Sequence, residues 1–269
     1  MSKLEFNPIS QSSYFVTARF NEIELSTATA FFVVRNNKRF LITNWHVVSG
    51  RNSETGKCLA EKTAAIPNNL VIRVHKNKEH IEFEDFAINL LNSETDEPLW
   101  LQHPHYGKSV DVAALEIDIP AHLLAMTVEE FIEPFNEETT ESVADDVFIL
   151  GYPFGISVGN IFPIWKRASI ASEPIIDIDE LPKILVDTAS RQGMSGSPVI
   201  LFQKRPVGIM DKHPEPTKIS NYFMKLIGIY SGRIGASDDN HQIKAQLGVV
   251  WKAKVIDEII TQKIFTSDE

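Results

Sequence analysis

Short apolar or alternating runs, broken every few residues by turn formers, set the tightest limit on this chain, because segments of that length build strands rather than long helices. They fall at 31–34, 40–43, 70–74, 81–91, 112–117, 147–150, 184–186, 198–202, 226–230 and 247–251. Many short strands separated by turn signals are the pattern of an all-β sandwich or barrel. Asn36-Asn37-Lys38 supplies the first such turn, since asparagine tolerates the left-handed backbone. Two segments depart from the pattern. Val255, Ile256, Ile259, Ile260 and Ile264 recur at helical spacing within 252–264, predicting a C-terminal helix that packs one face. The stretch 121–131 also has a helix-compatible start, and 120–142 reads as a connection between two halves.

A chain of 269 residues that is 43% hydrophobic can build one large domain or two small ones. Its net charge of −10 argues against nucleic-acid binding, which needs a concentrated basic face. The N-terminal sequence has no apolar leader, and no run reaches about 18 apolar residues, so the expectation is a cytoplasmic protein with no membrane partner. Cys58 is the one cysteine, which excludes an intramolecular disulfide and fits a reducing compartment. It lies in a polar stretch, 56–60, with no partner signal for a nucleophile.

The chemistry concentrates at Arg191-Gln192-Gly193-Met194-Ser195-Gly196-Ser197-Pro198, where a serine between glycines can stand clear of the backbone. A serine hydroxyl is a weak nucleophile at neutral pH and needs a base, which in turn needs a group to hold its tautomer. Thr43-Asn44-Trp45-His46 puts a histidine just after an apolar strand, and Asp111-Val112-Ala113-Ala114-Leu115 puts a carboxylate at the head of another. Asp85 competes for that role, since it too opens an apolar run, but Asp111 follows a clearer turn at Gly107-Lys108-Ser109. The order is His46, Asp111, Ser195. An α/β-hydrolase would need Gly-x-Ser-x-Gly with its acid and histidine after the serine, and here position 197 is Ser and both partners come first. His103-Pro104-His105 could offer two imidazoles to a metal, but no third or fourth ligand is evident. His75, His80, His122, His213 and His241 read as surface residues.

These motifs resemble those of the trypsin-like (chymotrypsin-fold) serine proteases, of the bacterial trypsin-like peptidase and HtrA protease-domain type. The likeness runs from about Ser26 to Ile260 and includes Ala28-Thr29-Ala30-Phe31-Phe32-Val33, Val147-Phe148-Ile149-Leu150-Gly151-Tyr152-Pro153 and Gly228-Ile229-Tyr230-Ser231-Gly232. It implies an all-β fold of two six-stranded antiparallel barrels with a C-terminal α-helix. Residues 1–125 would form the barrel carrying His46 and Asp111, and 126–269 the barrel carrying Ser195. It also implies a Ser195–His46–Asp111 triad acting on protein or peptide substrates through an acyl-enzyme, with the backbone N–H groups of Gly193 and Ser195 as the oxyanion hole. No cofactor and no metal are expected. Ala189 would lie at the base of the specificity pocket, with Ser231 and Arg233 along its wall. Ala189 disfavours a basic substrate residue and admits small or medium apolar ones, whereas Arg233 could attract an acidic one. Met194 replaces the aspartate that pairs with a new N-terminus in secreted members, so control would pass to loops or to an activating protein partner. Alanines stand at 28 and 30 where the family carries glycines. A latent or inactive scaffold that binds protein is the alternative.

Overall fold

The computed structural model describes residues 6–60, 63–132, 141–189, 191–204, 222–233 and 246–265. Among the described residues, fourteen strands and two short α-helices run β1 (Ser13–Phe20), β2 (Ile23–Arg35), β3 (Lys38–Thr43), α1 (Trp45–Ser49), β4 (Asn69–His75), β5 (Phe83–Asn89), β6 (Trp100–Gln102), β7 (Ala113–Glu116), β8 (Asp146–Gly151), β9 (Ile164–Ile170), β10 (Lys183–Asp187), β11 (Pro198–Lys204), β12 (Tyr222–Arg233), β13 (Leu247–Lys252), α2 (Lys254–Gln262) and β14 (Ile264–Phe265).

The second half closes as expected, in a six-stranded barrel of order β10-β13-β12-β11-β8-β9. The first half is an eight-stranded antiparallel sheet, β14-β6-β7-β3-β2-β1-β4-β5. Its β5 end meets β6 only at the root of the connecting turn, where Leu99 N–H donates to Leu90 O at 2.9 Å and Leu91 bridges Pro98. The reason is the brevity of β6, whose outer edge is taken instead by β14 returning from the C-terminus, Ile264 opposite Gln102.

Three buried clusters follow from the alternation. Inside the first sheet lie Tyr14, Val16, Leu41, Leu70, Ile72 and Leu115, and inside the barrel Val147, Ile149, Val186, Met194, Val199 and Val250. The third joins the halves, packing Phe31, Phe40, Ile42 and Val112 against Ile200, Ile229 and Trp251. Val255, Ile256, Ile259 and Ile260 of α2 enter that same cluster, so the C-terminal helix clamps the junction. Burying each such side chain contributes about 1.5–3 kcal/mol relative to leaving it in water.

The helix-compatible reading of 121–131 fails except for a 3-10 turn at Val128–Phe131. Tertiary pairing overrides the spacing: Leu124 N–H donates to His75 O at 2.7 Å, and Thr127 bridges Phe32 in parallel. His75 is a second correction. It is wholly buried on β4, its ring tilted against Phe162, rather than at the surface. His80 and His122 are exposed as read, while His213 and His241 lie outside the described residues.

Candidate active site

β3 delivers His46 directly. Asn44 takes an extended backbone before α1, and Gly50 ends this one-turn helix in the left-handed region with its N–H on His46 O. Trp45, Val47 and Val48 bury themselves in the first-sheet core and leave the His46 side chain facing out, 21% exposed. Asp111 arrives from a turn at 106–110 just ahead of β7 and is buried. Its carboxylate receives His46 Nδ1–H at 2.7 Å on Oδ2 and the His46 backbone N–H at 2.8 Å on Oδ1. Asn44 Nδ2 donates to Asp111 O at 2.7 Å, tying the two backbones together.

An ionised carboxylate only accepts, so this contact places the proton on Nδ1 and the free lone pair of neutral His46 on Nε2. Burial pushes the His46 pKa down, but the charge of Asp111 and its hydrogen bond together outweigh burial and hold it above the usual 6.5. Asp85, the competing carboxylate, sits instead on exposed β5 and pairs with Arg73 at 3.0 Å.

The loop before β11 carries Ser195 between two glycines that geometry requires. Gly193 has φ +94°, and a Cβ there would lie 2.2 Å from Tyr152 O; Gly196 has φ +83°, and a Cβ would lie 2.1 Å from Thr29 O. Met194 points into the barrel core, fully buried, and anchors the loop from below. The amides of Met194, Gly196 and Ser197 are bonded to Arg191 O, Tyr230 O and Met194 O, whereas those of Gly193 and Ser195 take no hydrogen bond among the described residues. Gln192 O accepts from Phe154 N–H at 2.7 Å. Because a trans peptide points its N–H opposite to its C=O, this bond turns the Gly193 amide away from the Phe154 loop.

Ser231 has a part that sequence reasoning did not assign. Its Oγ donates to Asp111 Oδ2 at 2.5 Å, and its carbonyl accepts from Ser195 Oγ at 3.3 Å. The structure thus joins His46 to Asp111 directly and connects Ser195 to them through Ser231. The bulge between Tyr230 and Gly232 on β12 turns this residue toward the site. Only that register, which is invisible in one sequence, could have flagged the contact. Ala189 is half-buried two residues past β10, and the Arg233 side chain lies outside the described residues. His103 is buried with Nε2 2.9 Å from Glu258 on α2, so it serves the C-terminal clamp. Cys58 Sγ donates to Ala65 O at 3.6 Å.

Residues 28–209, more than half of the chain, match the family model of the trypsin-like peptidase domain. The chain belongs to that family. No curated protein matches the chain. Among solved structures, the serine endoprotease from Yersinia pestis aligns with TM-score 0.50 at 13% identity, over 94% of this chain and 62% of that one. This trypsin-like chain therefore spans less than two thirds of that protein, and the likeness speaks to fold alone. An M. tuberculosis protease in its active form aligns at TM-score 0.46 and 19% identity, over 98% of this chain and 87% of that one. The inactive form of a serine-to-alanine mutant from M. tuberculosis aligns at 0.46 and 18%, over 95% and 90%. Among the described residues, no helix is long and apolar enough to cross a membrane.

Proposed function

We propose that this chain is a serine endopeptidase in which Ser195 is the nucleophile, His46 the general base and Asp111 the group that orients it. The observation that carries the reading is the buried Asp111 carboxylate, which accepts both His46 Nδ1–H and the His46 backbone N–H. In the reaction Ser195 Oγ bonds to the scissile carbonyl carbon while His46 Nε2 takes its proton. The Gly193 and Ser195 amides donate to the oxyanion. His46 then gives the proton to the leaving amine as the C–N bond breaks, and a water activated by the same imidazole hydrolyses the ester.

A second, latent reading has its own support, since Ser195 Oγ donates to Ser231 O in this arrangement. On this reading Ser195 Oγ must leave Ser231 O before it can hydrogen-bond His46 Nε2, and latency is a matter of what holds it there. Within the same reading the enzyme works inside the cell on selected proteins, under control of its loops or of a protein partner, because Met194 leaves no acid for a new N-terminus. Ala189 admits small or medium apolar residues on the acyl side of the cut, and Arg233 is the alternative selector, for an acidic one.

The direct test is hydrolysis of an unfolded protein such as casein by the full chain. Wild type cleaves it, and Ser195→Ala and His46→Ala do not. Undiminished cleavage by Ser195→Ala would remove the assignment.

A further inference from the structure

We propose that Thr29 is a positioning residue of this site, holding the backbone of the oxyanion loop in register with the strand that leads to His46. The inference rests on the serine-peptidase reading above.

Thr29 lies in the middle of β2, with no solvent exposure, and its polar atoms all turn to the site. Its hydroxyl donates to Gly193 O at 2.9 Å and accepts from Tyr152 N–H at 3.3 Å. Its backbone N–H donates to Ser195 O at 2.8 Å. Its carbonyl accepts from Thr43 Oγ1 at 2.8 Å, and Thr43 closes β3 three residues ahead of His46. One residue of the first sheet therefore grips the Gly193 carbonyl, two residues before the nucleophile, and the carbonyl of Ser195 itself, and is held in turn by the strand carrying the base.

The hydroxyl matters because of what Gly193 is. Glycine has the freest backbone of any residue, so its N–H holds a direction only if the peptides on both sides are held. Phe154 N–H fixes the peptide before Gly193 through Gln192 O, and the Thr29 hydroxyl fixes the peptide after it. The branched Cβ of threonine restricts χ1, which keeps the hydroxyl on its target. Tyr152 N–H, just past the end of β8, completes the hydroxyl's partners and locks the donor toward Gly193 O.

Thr29→Val keeps the shape and removes the hydroxyl, leaving Gly193 O and Tyr152 N–H buried without this partner. Thr29→Ser keeps the hydroxyl and loses only the methyl. The experiment measures kcat and KM per active site, with sites counted by fluorophosphonate titration, and the affinity of a peptide aldehyde whose tetrahedral adduct occupies the oxyanion hole.

For Thr29→Val the expected result is a fall in kcat of about tenfold, KM within about threefold, and a matching loss of aldehyde affinity, short of the roughly 10²–10³-fold for removing one oxyanion donor outright. Thr29→Ser recovers most of the rate. A purely structural role would lower the melting temperature and the number of titratable sites while leaving kcat per site and aldehyde affinity at wild-type values. That result, or a Thr29→Ser variant as slow as Thr29→Val, overturns the proposal. Wild type that does not react with the fluorophosphonate removes the peptidase reading itself, and the role of Thr29 with it.

Discussion

At the residue scale, the pH behaviour of the site turns on a contest at His46. Burial favours the neutral ring, and the Asp111 charge and hydrogen bond favour the charged one and win. The neutral form is the base, so kcat/KM should rise with pH through a midpoint above 6.5. In Asp111→Asn only burial remains, and the midpoint should move below 6.5 while kcat falls by about 10⁴. A pH–rate profile of the two proteins checks both shifts; an unmoved midpoint would contradict them. His75 presents the opposite case, with burial alone pushing its pKa down to about 4 and neither ring nitrogen bonded among the described residues. The unfolded chain binds this proton near pH 6.5 and the folded one near 4, so stability is full above 6.5 and is lost as pH falls through that window. His75→Leu should remove about 3 kcal/mol of that pH dependence, read as the difference in urea unfolding free energy between pH 7 and pH 4.

Among the elements, α2 and β14 do what the barrels alone cannot, tying the C-terminus back across the junction. Ile259 is fully buried there. Ile259→Ala should cost about 2–5 kcal/mol by urea unfolding. A loss under about 1 kcal/mol would mean that α2 does not clamp the halves. The helical spacing of 255–260 was plain in the sequence because one face is apolar throughout. Much else at this scale was hidden. β1 buries Ser13 and Thr17 on the face opposite Tyr14 and Val16, so both of its faces are covered and no apolar–polar alternation marks it, and β9 carries Lys166 and Arg167. β6 is too short for any period to register. The stretch 121–131 has helical apolar spacing, yet it is drawn out to bond β4 and β2. His46, Asp111 and Ser195 could be read because each needs distinctive local residues: a polar step off a strand, a turn before one, and paired glycines. Ser231 and Thr29 act through register across strands and between halves, and no local pattern records that.

For the whole molecule, one core shared by both halves and α2 sets the cooperativity. We propose 1–125 and 126–269 as its two structural units, coupled through that core. Tryptophan fluorescence and far-UV circular dichroism should therefore report one coincident unfolding transition. Two resolved transitions would show the halves to be independent. The same junction carries the candidate site, since His46 and Asp111 come from the sheet while Ser195 and Ser231 come from the barrel. Peptidase activity is on this account a property of the assembled pair. The most direct measurement is the intact mass of the full chain after exposure to a fluorophosphonate, with the adduct located by peptide mapping. A single adduct on Ser195, lost in Ser195→Ala and His46→Ala, is the predicted result. An unmodified wild type, or an adduct on another residue, would contradict the account.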